Sequence, residues 1–153
     1  MRTVLFVCTG NTCRSPMAEA IARHAVESGL VDGVDADDTL FVSAGLAAFD
    51  GAPASPEVTE VLAQRGIHGF DSRSLGLTRE MVEKADLVLV MTRGHLAGIE
   101  SMVGGDLEQV PQVQLLDPRG DVRDPIGGGL NVYDATASQM ESVIPARLKE
   151  FLG

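Results

Sequence analysis

Two short runs, VLFV at positions 4–7 and LVLVM at 87–91, are apolar at every position rather than at alternate ones. A strand with one face in water alternates, whereas a strand that is apolar throughout is covered on both faces, as in a parallel sheet with helices on either side. Helices are therefore needed between the strands, and the sequence supplies them. SPMAEAIARHAVESG, from Ser15 onward, places Met17, Ile21 and Ala25 at helical spacing, with Ser15 suited to the N-cap and Pro16 to the first helical position. SPEVTEVLAQRG at 55–66 repeats the Ser-Pro start and ends on glycine. Thr78 opens TREMVEKA with a capping-box pattern that turns Met81 and Val82 inward. Strands are expected at 3–8, 39–45 (TLFVSAG), 86–91 and near 112–116, with a helix around 93–103. A glycine-rich loop should occupy 117–132, and a helix at 133–151 should close the chain, kinked or ended early by Pro145.

Strands alternating with helices give an α/β fold, with three layers and a four-stranded parallel sheet flanked by helices and wound by right-handed crossovers. No repeat, low-complexity tract or long linker divides the sequence, so residues 1–153 are expected to form one domain. Ligands of such sheets gather at the carboxyl ends of the strands. Cys8 falls at the end of the first strand, and the loop holding Asp124 follows the last.

The charge balance narrows the partners. Lys and Arg number 12 against 22 Asp and Glu, for a formal net charge of −10, which repels nucleic acid and anionic membranes. The apolar runs are too short to cross a bilayer, and the first does not lead to a small-residue cleavage site, so a cytoplasmic location is expected. Two cysteines, Cys8 and Cys13, are too few for a disulfide framework. The three histidines stand apart, so neither a metal nor another cofactor is expected.

The loop VCTGNTCRSPMAE carries the chemistry. Cys8 and Arg14 stand in a C-x5-R spacing with Ser15 next, and Thr9, Gly10, Asn11, Thr12 and Cys13 lie between them. Gly10 and Asn11 tolerate left-handed backbone angles, and a loop bent that way turns successive amides inward as a nest for an anion. The following helix adds its positive end, and Arg14 adds a planar fork that matches two phosphate oxygens. Such a field favours the thiolate of a cysteine at its floor, and the Ser15 hydroxyl is placed to donate to that sulfur. A thiolate inside an oxyanion cradle suits attack on phosphorus through a phosphocysteine. The acid for the leaving group, and the base for water afterwards, is expected in Asp124 of RDPIGGG, with Pro125 restricting its backbone. A buried cysteine at a strand end is most often just a small apolar residue, and a lone C-x5-R arises by accident. Here the strand, the Gly-Asn turn and the Ser-Pro helix start all agree.

Other residues receive plainer readings. Asp117-Pro118 is expected to be only a turn, and His24, His68 and His95 are expected at the surface. Tyr133 should pack at the start of the last helix, and Phe49 belongs either to the core or to the wall of the pocket. Cys13 is close enough to Cys8 for a protective disulfide under oxidation, or is simply a packed thiol.

VCTGNTCRSPMAE resembles the phosphate loop of the low-molecular-weight protein tyrosine phosphatase family, and DPIGGG resembles its acid-bearing loop. SAG at 43–45 and MVEKADLVLVMT at 81–92 are also similar, so the resemblance covers nearly the whole chain. It implies Cys8 as nucleophile, Arg14 and the 9–14 backbone as phosphate ligands, Asn11 and Ser15 as loop-fixing residues, and Asp124 as general acid. It also implies a four-stranded parallel sheet, no metal, and phosphorylated proteins as partners. Thr12 stands where many tyrosine-directed members carry a bulky aliphatic residue, and the loop is similar to that of the bacterial protein arginine phosphatase branch. A hydroxyl there can bond a guanidinium, so phosphoarginine is the expected substrate and phosphotyrosine the alternative. Tyrosine-selective members often carry tyrosines after Asp-Pro, and the arginine branch carries an aromatic; this chain has Ile126 followed by glycines. A histidine frequent in the family two residues before Ser72-Arg73 is Phe70 here. An arsenate reductase of this fold needs relay cysteines downstream, and none follows Cys13. A module that only binds phosphate needs no acid, and Asp124 argues against it.

Overall fold

The computed structural model describes residues 1–153 as four parallel strands and five helices. The strands are β1 (Arg2–Cys8), β2 (Thr39–Gly45), β3 (Leu87–Val90) and β4 (Val113–Leu115). They lie side by side in the order β2-β1-β3-β4. The helices are α1 (Arg14–Glu27), α2 (Pro56–Ala63), α3 (Arg79–Lys84), α4 (Arg93–Met102) and α5 (Gly129–Leu152). Short 3-10 turns at Ala36–Asp38 and Leu107–Gln109 precede β2 and β4. No helix is long and apolar enough to cross a membrane.

The sheet separates two cores, which accounts for the unbroken apolar runs. Along β1, Val4, Phe6 and Cys8 join the larger core beneath α1, α2 and α5, while Leu5 and Val7 join the smaller core on the α3 and α4 side. β3 divides in the same way, Leu87 and Leu89 to one face and Val88 and Val90 to the other. This period of two with both faces apolar is the sheet signature that the sequence carried.

Boundaries differ from expectation in three informative places. Ser15 is not the N-cap of α1: that position is Cys13, which offers no side-chain bond to the first turn, and Arg14 is already helical. The Ser15 hydroxyl is drawn instead into the loop, where it meets Cys8 and Asn11. The last helix begins at Gly129 rather than 133, because Tyr133 packs into the larger core and tertiary contact overrides the poor helical propensity of glycine. It runs on to Leu152 with Pro145 inside. Pro145 costs one backbone bond, whose orphaned carbonyl belongs to the exposed Glu141 and can be solvated, while Val143, Ile144, Arg147 and Leu148 keep the helix buried on either side.

The carboxyl ends of all four strands meet at one edge of the sheet. β1 ends on Cys8, paired with Gly45 at the end of β2. β3 leads through Met91 and Thr92 into α4, and β4 into the loop before α5. That loop is tied back to the sheet by Val122, whose amide donates to the Met91 carbonyl at 2.8 Å.

Candidate active site

Residues 9–13 leave β1 and double back into α1, and the bend is set at Asn11. Its φ of 56° makes it the sole non-glycine residue with a positive φ, and it is 1% exposed. Asparagine tolerates this conformation because its short amide bonds locally. Here Nδ2 donates to Ser15 Oγ at 2.7 Å and Ser43 Oγ at 3.0 Å, and Oδ1 accepts from the Leu75 amide at 2.9 Å. Ser43 in turn donates to Glu19 at 2.9 Å. Phe70, where a histidine is frequent in the family, packs against the larger core, and the loop is braced from that side by the Leu75 amide instead.

The loop's carbonyls are consumed on its outside. Those of Cys8, Thr9, Thr12 and Cys13 accept from Leu46, Ala47, Ser55 and Met17 at 2.9–3.2 Å. Gly45 makes the first two contacts feasible, since a Cβ there would run into the Thr9 carbonyl and the Asn11 amide. With the carbonyls turned out, the amides of Thr9, Gly10, Thr12, Cys13 and Arg14 donate to no protein acceptor, and the Asn11 amide points at Cys8 Sγ, 3.3 Å away. A run of unpaired amides at a helix start is an anion nest.

Cys8 sits at the floor, its sulfur 3.0 Å from Ser15 Oγ. Ser15 accepts from Asn11 and lies 3.5 Å from the Ala44 carbonyl, so its proton is best spent on the nearer sulfur. Arg14 is buried at the rim, where Nη1 donates to the Val122 carbonyl at 3.1 Å and Nη2 to Thr9 Oγ1 at 3.5 Å. Asp124 faces it across the cleft, with Oδ2 3.7 Å from Arg14 Nη2 and its side chain 48% exposed. The Ile126 amide donates to Asp124 Oδ1 at 3.1 Å and fixes the carboxylate's direction. Residues 8–14, Asp124 and Ile126 enclose a cleft of about 180 Å³, too small for a drug-sized ligand and suited to a tetrahedral anion with the first atoms of its substituent. A larger hollow between Arg23, His24, Glu27 and His68 is lined by no cysteine, serine or threonine.

The predicted residues Cys8, Thr9, Gly10, Asn11, Thr12, Arg14, Ser15 and Asp124 are thus brought together. Cys13 contributes its backbone, while its sulfur faces away toward Ser55 Oγ at 3.1 Å and the Tyr133 hydroxyl at 3.3 Å. Both cysteines are free. Tyr133 packs at the start of α5 as expected, and burial, followed by the neighbouring Cys13, pushes its hydroxyl up to about 12. Phe49 is neither core nor pocket wall: it is 90% exposed and does not line the cleft. Asp117 is more than a turn. It is buried, and bonds from Gln139 and Arg119 outweigh the effect of burial and hold its carboxyl below the usual range. Gln139 reaches the Asp121 carbonyl as well, so α5 anchors the loop that carries Asp124.

His95 also departs from the surface position expected of it. It is 6% exposed, not at the surface, and its Nε2 lies 2.9 Å from Thr9 Oγ1. It occupies the first turn of α4, where its amide donates to the Thr92 hydroxyl. Burial, and then the charge of Arg14, lower its pKa from 6.5 to about 4. Folding is therefore expected to weaken as pH falls from 6.5 toward 4, because the unfolded chain takes up at 6.5 a proton that the folded chain refuses until about 4. The stability at stake is intact above pH 6.5 and is lost on the order of 3 kcal/mol by pH 4. Urea midpoints of wild type and His95→Gln across this range check it, and the variant should show the shallower decline.

Comparison with known proteins places this geometry in a family. The model of the low molecular weight phosphotyrosine protein phosphatase family matches residues 3–151. The protein-arginine-phosphatase of Bacillus subtilis (strain 168) is 36% identical over 149 residues, spanning 96% of this chain and 95% of that protein. The low molecular weight protein-tyrosine-phosphatase PtpB of Staphylococcus haemolyticus is 35% identical over 140 residues, spanning 90% and 91%. Among solved structures, a YwlE arginine phosphatase mutant with a phosphorylated active site serine superposes with a TM-score of 0.84 at 35% identity, over 97% of this chain and 96% of that one. The chain belongs to the low molecular weight phosphotyrosine protein phosphatase family.

Proposed function

We propose that this protein hydrolyses phosphoarginine in proteins, with Cys8 as the nucleophile. The observation that carries the reaction type is the convergence of Cys8 Sγ, five unpaired loop amides, Arg14 and Asp124 on one small cleft. The Cys8 thiolate attacks phosphorus, an S–P bond forms and the P–N bond to the substrate guanidine breaks. Asp124 delivers the proton that the departing guanidine nitrogen takes up. Water then attacks phosphorus and passes a proton to Asp124. The S–P bond breaks, and inorganic phosphate and the thiolate are restored. The amides of 9–14 and the Arg14 fork stabilise the charge on the three equatorial oxygens throughout. Asn11 and Ser15 hold the loop and the sulfur in place. Every acid, base and charge this sequence of steps requires is supplied by the phosphate loop and by Asp124. The acidic surface and the absence of any helix able to cross a membrane are compatible with a soluble protein substrate met in the cytoplasm.

Substrate choice rests on Thr12, half-buried on the cleft wall, and on the missing tyrosines after Asp124-Pro125. The Bacillus subtilis relative named for arginine dephosphorylation supports this reading, and the staphylococcal relative named for tyrosine keeps phosphotyrosine as the second reading. A site that bonds a substrate N–H discriminates strongly against one lacking it. Wild type is expected to favour a phosphoarginine peptide over a phosphotyrosine peptide by roughly tenfold or more in kcat/KM. Thr12→Ile should reverse or erase that ratio. Paired turnover measurements on the two peptides decide it. A wild type that already prefers phosphotyrosine, with no change in the variant, refutes the assignment.

A further inference from the structure

Nothing in the steps above uses His95, although it is buried against the first residue of the phosphate loop and its ring hydrogen-bonds to Thr9 alone. Its Nδ1 is the single buried side-chain nitrogen or oxygen in the chain without a hydrogen-bond partner. That orphan atom fixes the tautomer. If Nδ1 carried the proton, a buried N–H donor would be left unmade, and orphaned buried N–H groups are rare in folded proteins. With the proton on Nε2, only a lone pair is left over, and Nε2–H donates to Thr9 Oγ1. The first turn of α4 and the nearby guanidinium of Arg14 both disfavour a second proton, so the ring is neutral.

Thr9 Oγ1 then receives two donors, His95 Nε2–H at 2.9 Å and Arg14 Nη2–H at 3.5 Å. A hydroxyl has two lone pairs and one proton. With both lone pairs occupied, the remaining proton has to point away from His95 and Arg14, and Thr9 lines the cleft. Building on the phosphatase reading, we propose that His95 is a positioning residue that, as the Nε2–H tautomer, orients the Thr9 hydroxyl as a donor into the oxyanion cradle and keeps Arg14 in register with it. His95 reaches the reaction only through Thr9 and touches no reacting atom. It also ties the strand-end loop of β1 to the helix after β3, which makes one hydrogen bond between them part of the catalytic geometry.

The test uses the full chain and a phosphoarginine peptide, with inorganic phosphate as the probe of the cradle. His95→Leu keeps the volume and loses the donor, whereas His95→Gln places an amide N–H close to where Nε2–H sat. His95→Leu is expected to lower kcat about tenfold and to weaken phosphate inhibition similarly, the fold-change one such hydrogen bond supports. His95→Gln should stay within about twofold of wild type on the same reasoning. In a Thr9→Val background, His95→Leu should add no further loss, because its only route is gone. Nitrogen NMR of the wild-type imidazole should show the proton on Nε2. The proposal is overturned if Leu and Gln fall together, if both match wild type, if the losses add in the Thr9→Val background, or if Nδ1 bears the proton. Should His95→Leu not fold, the Gln variant and the wild-type spectrum still decide. A wild type that turns over neither phosphopeptide refutes the phosphatase reading itself, an outcome distinct from any of these.

Discussion

Cys8→Ser is expected to lower kcat/KM on a phosphopeptide by about 10⁴-fold or more, with thermal stability close to wild type. The serine hydroxyl fits the same floor and keeps its bond to Ser15 Oγ, so the cradle survives. Its oxygen is a far weaker nucleophile than sulfur, and no base lies beside it to remove the proton. Phosphate binding should therefore persist while turnover collapses. Steady-state kinetics set against calorimetric titration with inorganic phosphate separate the two. A variant that loses binding as much as turnover would mean that the sulfur shapes the cradle rather than attacking phosphorus.

Asp124→Asn carries the second large effect, about 10²- to 10⁴-fold in kcat. Its size should depend on the leaving group. A guanidine nitrogen has to be protonated as it departs, so the full loss should be seen on phosphoarginine. An aryl phosphate with a strongly electron-withdrawing ring leaves without that help, and the first step should be nearly spared. The second step still lacks a base for water, so the phosphoenzyme should accumulate with the aryl substrate. Equal losses in the first-step rate on both substrates, with no phosphoenzyme accumulating, would leave Asp124 as a neighbour of Arg14, 3.7 Å away, and nothing more.

The part of this account legible in the sequence is the part written locally. Cys8, Asn11, Arg14 and Ser15 fall within one turn between a strand and a helix, so their spacing alone places them around one point. The unbroken apolar runs of β1 and β3 likewise announce a sheet covered on both faces. What escaped is what depends on chain segments far apart. His95 is 86 positions from Thr9, and its TRGH setting looks like an exposed helix start. One signal was available: a histidine three residues after an N-capping threonine, directly behind a buried strand, starts at the ligand-bearing edge of a parallel sheet. Ser15 shows a second limit, since a hydroxyl suited to capping was claimed by a stronger local demand from Cys8 and Asn11. The start of α5 shows a third, where packing of Tyr133 carried the helix back to Gly129 against the poor helical propensity of glycine.

The central claim is that the phosphoryl group passes through the sulfur of Cys8. The most direct measurement is to mix Asp124→Asn with p-nitrophenyl phosphate, quench within the first turnovers by denaturation, and locate the phosphoryl group by mass spectrometry of the digested chain. A burst of p-nitrophenol is expected, matched by phosphate on Cys8 and on no other residue. Continued turnover with an unmodified Cys8, or with the phosphoryl group on another side chain, would contradict it.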